Sequence, residues 1–377
     1  MNPSPDVIIV GAGIVGAACA AACARGGLRV LVVERGPIGG GTTAAGMGHL
    51  VVMDDSEAQF ALTSYSLRLW HDLRPNLPVN VEFNACGTLW CAADAGEMAE
   101  VQRKEKFYSG RGVRVEVLDS LALAQAEPQL RPGLAGALLV VNDGVIYPPC
   151  AAQYFIEQAQ QHGAEFCGGT EVSAFLLEGG VQLRNGTRLS AGRSVNAAGP
   201  WSPSLAAGLP VRKRKGHLVV TDRHPGYVHH QIVELGYLKS AHSVSRDSVA
   251  FNVQPRRSGQ VLIGSSRQFD AEGTEVNQEI LDRMLRRAIE YMPSIGNLAA
   301  IRTWTGHRAA TPDKLPIIGP AADNDHLWFA TGHEGLGITT SVGTGQILAD
   351  LLLGKTPAIP AAPFAPARFA QGGTFHD

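Results

Sequence analysis

Residues 6–35 read DVIIVGAGIVGAACAAACARGGLRVLVVER, and the fold turns on how this stretch divides. Val7–Val10 is a short, apolar, mostly β-branched run, the pattern of a strand buried on both faces. Gly11-Ala12-Gly13-Ile14-Val15-Gly16 follows as a G-x-G-x-x-G turn. Val15 to Arg25 is rich in alanine, the strongest helix former, and Gly26-Gly27 stops it. Leu28–Val33 is a second buried strand, closed by Glu34 about 20 residues after the glycines, where a carboxylate meets a ribose hydroxyl. Glycines alone are weak evidence, but strand, glycines, helix, strand and acid in register mark a dinucleotide site. Glycine backbone approaches a pyrophosphate closely, and the helix N–H groups with their dipole hold the anion.

From Val7 to Ala24 no residue is charged, a run long enough to resemble a membrane span. Glycines interrupt it at 11, 13 and 16, and no basic region precedes it, which argues against a span and a signal peptide. The whole chain has 377 residues, 45% of them hydrophobic, enough for a large core and roughly two domains. A net charge of −2 points to neither nucleic acid nor an anionic membrane surface. Six cysteines (Cys19, Cys23, Cys86, Cys91, Cys150 and Cys167) form no C-x-x-C pair, so no zinc or iron–sulfur site is expected, and a reducing cytoplasm fits.

Working outward, GPIGGGTTAAGMGHL (residues 36–50) sets glycines, Thr42, Thr43, Ala45, Gly46 and Met47 in series, small and hydroxyl-bearing residues suited to running along an extended cofactor. RTWTGHRAATPDKLPIIGP (residues 302–320) places Arg308 among prolines and glycines dense enough to stiffen a turn. By itself Arg308 is a surface cation, a salt-bridge partner for an acid such as Asp313, or a clamp for a substrate carboxylate.

Six blocks in order resemble the D-amino-acid oxidase superfamily of FAD enzymes, which includes glycine oxidase and sarcosine oxidase. GAGIVG with Glu34 and Arg35 resembles its dinucleotide fingerprint, and GTTAAGMG its passage along the flavin phosphates and ring. GTEVSAF (169–175) resembles the strand meeting the adenine, with Val172 there. SVNAAGPWS (194–202), with Ala198, Gly199 and Trp201, resembles the block near the ribityl chain. WTGHRAATPDKLPIIG (304–319) resembles W-x-G-x-R-P-x-T-x-D-x-x-P-x-I-G, with Gly306 and Arg308 in place but Ala309 where proline is common. TGHEGLGITTSVGTG (331–345) resembles the closing flavin-binding turn and helix, through Gly335, Leu336, Gly337, Ile338 and Thr339. Within the superfamily the chain most resembles the FAD-carrying β subunits of bacterial amino-acid dehydrogenases, a group including hydrogen cyanide synthase, opine oxidase and D-hydroxyproline dehydrogenase.

The resemblance implies an α/β fold: a Rossmann-type FAD-binding domain (1–78, 144–212 and 302–377) interleaved with an α+β substrate domain on a mixed sheet (79–143 and 213–301). Residues 148–163 and 277–293 read as helices, 259–269 as a strand, and the Pro/Ala-rich tail 354–373 as extended or wrapped over the surface. The implied activity is hydride removal from the amine-bearing carbon of a small amino acid, with FAD supplying the hard chemistry. Arg308 falls on the arginine that grips the substrate carboxylate. Met47 and His49 are placed beside the reacting atoms, and His217, at the start of a strand, at the substrate; His49 is at least as readable as a packed loop residue. His333 begins the turn whose N–H groups face the flavin, or else is a turn cap. His229-His230 lack a third ligand at useful spacing, so no metal is expected. The run Arg212–Lys215 is a solvated face, or holds the phosphate of a second flavin, FMN, at a subunit interface. The expected acceptor is an electron-accepting partner in a hetero-oligomer. The competing readings are an oxidase that uses oxygen alone, a hydroxy-acid or glycerol-phosphate dehydrogenase, and a non-catalytic flavin-carrying electron-transfer subunit.

Overall fold

The computed structural model describes residues 4–236, 247–269 and 271–369. A six-stranded sheet takes the spatial order Ile317–Pro320, Leu327–Thr331, Arg193–Asn196, Val7–Val10, Val30–Glu34, Glu165–Gly168. Every neighbouring pair is parallel except the first. Val7–Val10 lies inside this sheet with all four residues buried, as its unbroken apolar run requires. The helix starts at Ile14, and the second strand at Val30 rather than Leu28, because the Leu28 N–H turns back to the Cys23 carbonyl and closes the helix end.

Ten of the twelve residues of the helix Ile14–Arg25 are buried. It lies against the helices Pro148–Gln161 and Gly337–Leu352. Alanine serves here because helices on several sides leave no room for larger side chains. At Gly345 a methyl group would stand 2.7 Å from the Ala18 carbonyl oxygen, so glycine sets the approach of these two helices. The apolar run at the N-terminus is thus a strand and a helix of the core. No helix among the described residues is long and apolar enough to cross a membrane.

An eight-stranded mixed sheet takes the order Ala300–Ala310, Arg212–Arg223, Gln260–Arg267, Ser248–Pro255, Gln231–Glu234, Thr88–Ala92, Gly136–Val140, Val115–Asp119. Only the pair Gln231–Glu234 with Thr88–Ala92 is parallel. The helix Gln278–Tyr291 covers one face with Ile280, Leu281, Met284, Ala288 and Tyr291, and Tyr291 stacks on Phe251 at 4.7 Å.

Two expectations meet this sheet differently than drawn. Arg212–Arg223 pairs with Ala300–Ala310 from Arg212↔Ala310 to Thr221↔Ala300. The boundaries expected at 212 and 302 therefore run through hydrogen-bonded strands, and residues 302–310 are the edge of the eight-stranded sheet. For the same reason Arg308 stands on a strand and not in a stiffened turn. The turn begins beyond it, at Thr311, and its prolines punctuate the return to Ile317–Pro320. The tail packs on its own chain as far as it is described: Phe364 is buried, and Arg368 pairs with Asp313 at 2.7 Å. Residues 370–373 of that stretch lie outside the described residues.

Candidate active site

A cavity of about 580 Å³ is lined from both sheets. At one end stand Glu34, Arg35, Val172 and Trp201. Each Glu34 oxygen accepts one backbone N–H, from Ala12 at 2.6 Å and Gly36 at 2.7 Å, which fixes the carboxylate while leaving lone pairs for hydroxyl donors. The Arg35 guanidinium lies over the Trp201 ring at 4.7 Å. Gly11, Gly13 and Ile14 follow where the helix Ile14–Arg25 opens on the cavity, with no acidic residue in its first turn to neutralise the dipole. Gly11 has φ of +111°, and a methyl there would lie 2.6 Å from the Ala197 oxygen. Thr43 Oγ1 accepts the Ile14 N–H at 3.0 Å, and the Thr42 hydroxyl donates to the His307 carbonyl at 2.7 Å. These two threonines fasten the glycine loop to the helix on one side and to the strand Ala300–Ala310 on the other.

Along the middle run Ala45, Gly46, Met47, Ala198, Gly199 and Gly306. A methyl on Gly306 would meet the Ala45 side chain at 2.2 Å, so the loop and strand touch without a side chain between them. Gly335, Leu336, Gly337 and Ile338 line the far side, where the helix Gly337–Leu352 also begins without an acid in its first turn. Two helix N-termini thus face one long, glycine-walled cavity, a fit to an extended dinucleotide that carries anionic charge. The residues present suit FAD.

The remaining wall is polar. Arg308 donates through Nη1 to the Ser266 carbonyl at 3.0 Å. Its guanidinium occupies the space over Gly216, where a methyl would come within 2.6 Å of Nη1. Asp313, one acid offered for it by the sequence, is taken by Arg368. His49 lines the cavity, and burial, with the nearby Arg308 charge, brings its pKa down to about 4. It is a neutral imidazole near pH 7, and its buried Nε2 meets no hydrogen-bond partner among the described residues. Gln231 Oε1, Asn252 Oδ1 and Ser265 Oγ on the same wall are likewise buried without one.

Three expected residues stand off the cavity wall. His217 faces the other side of its strand, where Nδ1 meets Ser266 Oγ at 2.9 Å and Nε2 accepts the Asn277 N–H at 3.0 Å. Thr339 donates its hydroxyl to the His49 carbonyl at 2.9 Å and accepts the Val51 N–H at 3.2 Å, holding the His49 strand in place. Gly16 sits behind Gly11, where a methyl would strike the Gly11 carbonyl at 2.0 Å. His333 lines the cavity, is pushed down to about 3 by burial, and bonds Thr344 Oγ1 at 3.0 Å. His230 pairs with Glu127 at 2.8 Å, and no metal-binding group of side chains occurs among the described residues.

The run Arg212–Lys215 forms no phosphate-binding face. Arg214 and Lys215 are both buried, on opposite faces of the strand, and Lys213 reaches exposed Glu272. This removes the basis for a second flavin, FMN, on that run. Arg214 instead joins the cavity wall in a 2.7 Å ion pair with Glu334. Glu334, Arg267, Lys314 and Asp55 are cavity residues that the sequence did not single out, and Arg214 entered there only as part of a charged run. Burial raises the Glu334 pKa, but Arg214, Arg267 and Arg308 outweigh it and hold the carboxyl below its usual range. For Glu334 the only available signal was its place two residues before Leu336 in the closing turn.

Residues 6–351 match the family model described as FAD dependent oxidoreductase. Hydrogen cyanide synthase subunit HcnC from Pseudomonas aeruginosa is 28% identical over 98% of this chain and 97% of that protein. Glycine oxidase from the same organism is 28% identical over 97% of this chain and 99% of that protein. The crystal structure of glycine oxidase from Geobacillus kaustophilus matches with a TM-score of 0.87 at 27% identity, covering 97% of this chain and 99% of the other. L-proline dehydrogenase from P. horikoshii shares the fold, with a TM-score of 0.89 at 24% identity over 99% and 100% of the two chains.

Proposed function

Since this chain belongs to the FAD-dependent oxidoreductase family and is an FAD enzyme, we propose that it oxidises the C–N bond of a small amino acid, or of an N-alkyl or cyclic one, to an imine. The observation that carries this reading is the guanidinium of Arg308, set on a strand at the cavity wall and located by the Ser266 carbonyl and the bare backbone of Gly216. A planar fork so placed suits a carboxylate. The relatives named for glycine oxidation and hydrogen cyanide synthesis support amino-acid chemistry.

Bound FAD supplies the hydride acceptor, and the chain's own residues do the positioning. Arg308 orients the substrate through its carboxylate. His49, uncharged near neutral pH, offers Nε2 as a hydrogen-bond partner to the substrate nitrogen without adding a second cation beside it. Met47 packs its sulfur against Gly264, where a methyl would lie 2.9 Å from Sδ, and narrows the cavity beside the loop. The domain assignment expected from the sequence belongs to this proposal, with the strand Ala300–Ala310 moved to the substrate side.

The proposed electron acceptor is a partner subunit, supported by similarity to a protein named as a subunit. Equal identity to glycine oxidase favours, as second reading, an oxidase that uses oxygen without a partner. A cytoplasmic location is part of the proposal and agrees with six cysteines that form no disulfide. One experiment serves throughout. Holoenzyme is mixed without oxygen with glycine, sarcosine, proline and the D- and L-amino acids while flavin absorbance is followed; oxygen or an artificial dye is then admitted. Bleaching by amino acids and reoxidation faster by dye than by oxygen are expected. A flavin that no amino acid bleaches defeats the substrate reading, and peroxide formed as fast as dye is reduced establishes the oxidase.

A further inference from the structure

His217 stands behind the cavity wall, and both of its ring nitrogens are engaged. Nε2 accepts the Asn277 N–H at 3.0 Å, so the neutral ring carries its proton on Nδ1, which donates to Ser266 Oγ at 2.9 Å. The ring is neutral near pH 7 because burial, with the Lys215 and Arg308 charges, brings its pKa down to about 4. The His217 backbone N–H donates to the same Oγ at 2.8 Å. Ser266 in turn offers its carbonyl to Arg308 Nη1 at 3.0 Å. His217 and Ser266 are each 1% exposed, so these bonds form away from bulk water.

The sheet is built around this contact. Between the pairs Val219↔Ile263 and Lys215↔Gln268, four steps along one strand (219 to 215) are matched by five along the other (263 to 268). One extra residue is a bulge, a device that re-aims groups beside functional sites. His217 lies across from it, and its N–H meets a hydroxyl where a regular ladder would supply a carbonyl. On its other side the ring holds Asn277, whose side chain caps the helix Gln278–Tyr291 by accepting the Ile280 N–H at 3.1 Å. We propose that His217 is a positioning residue for the substrate carboxylate: by fixing Ser266 it sets the guanidinium of Arg308, without itself touching the ligand. This rests on the reading of Arg308 as the clamp. A ring that served only to fasten the helix would act through Nε2, whereas one that sets the clamp acts through Nδ1.

Asparagine presents its amide near the place of Nδ1, and glutamine near that of Nε2. The test is binding of propionate, a carboxylate that the flavin does not oxidise, to the holoenzyme, measured by calorimetry and by the shift of the flavin spectrum. His217→Gln and His217→Phe should each weaken propionate about 10-fold, the factor that a displaced charge-assisted contact carries. His217→Asn should stay within about threefold of the unaltered protein. Equal loss in Asn and Gln overturns the proposal. So does binding retained in Gln with loss of propionate or of FAD in Asn, or binding unchanged in all three. Failure of all three to take up FAD makes His217 a purely structural residue and overturns it too; if Phe alone fails, the order of Asn and Gln decides. A holoenzyme that binds no propionate, or that binds it equally well as Arg308→Met, sinks the clamp reading beneath.

Discussion

Arg308 and Gly216 lie diagonally across neighbouring strands, the guanidinium of one over the backbone of the other, and their relation separates function from stability. A methyl at Gly216 would stand 2.6 Å from Nη1 and 3.0 Å from Cζ of Arg308. The guanidinium ends a flexible side chain, so it swings away and the fold survives, but the clamp leaves its position. Gly216→Ala is expected to lower kcat/KM for amino acids by about 10- to 100-fold with FAD content and thermal midpoint little changed. Arg308→Lys should cost a similar factor, because an ammonium cannot copy a two-pronged contact worth roughly 1.5–3 kcal/mol. Steady-state kinetics beside flavin quantitation decides; wild-type kcat/KM in Gly216→Ala would show that the clamp is elsewhere. Arg308 was legible from its motif, whereas Arg214 was hidden in a run that looked like solvent-facing charge. Alternation along Arg212–Arg223 turns Arg214, Gly216 and Leu218 to the cavity and His217 away, so a shift of one residue decides which candidate lines the wall.

At the level of elements, the packing of Ile14–Arg25 on Gly337–Leu352 depends on glycine. The methyl of Gly345→Ala would lie 2.7 Å from Ala18 O and 3.1 Å from Cys19 N, backbone atoms that cannot turn aside. Overpacking of this kind costs about 1–3 kcal/mol. Thermal unfolding should show a midpoint lowered by several degrees and a fall in FAD retention, since both helices present their N-termini to the cavity. An unchanged midpoint would mean that the helices separate freely. The strand–helix–strand unit was readable because its signals are local: an apolar run, glycines at fixed spacing, alanines, an acid. The pairing of Arg212–Arg223 with Ala300–Ala310 was not. Its partners are remote in sequence, and the prolines following Arg308 suggested a turn at a place where hydrogen bonds across the sheet dominate.

For the molecule as a whole, buried titratable groups set a pH of greatest stability. Burial holds His49 and His217 down to about 4 and His333 to about 3, against an ordinary value of 6.5. Below 6.5 the unfolded chain binds protons that the folded chain refuses, so stability falls as pH drops through this window. Asp143 acts in the opposite sense: burial pushes it up to about 8 from 3.8, so the fold keeps a proton that the unfolded chain releases, and stability falls as pH rises toward 8. Three groups oppose one on the acid side, and above about pH 7 the unfolded histidines have lost most of their protons while Asp143 still acts. The thermal midpoint of the holoenzyme should therefore peak at about pH 7, and Asp143→Asn should flatten the decline from there to 8. A midpoint that climbs steadily over that last interval would refute this assignment. The cavity also has a consequence for how the protein is made. Its walls join Gly11, Gly13 and Ile14 to Gly335–Ile338, with Thr42 tied to His307, and the strands Ile317–Pro320 and Leu327–Thr331 complete the same sheet that Val7–Val10 begins. A chain growing on the ribosome displays half a cradle until residues 335–338 follow the N-terminal glycines out. Cofactor capture is thus a closing event, available only once the chain has emerged through Ile338, and until then the cell must shelter an apoprotein whose central sheet lacks the strands Ile317–Pro320 and Leu327–Thr331.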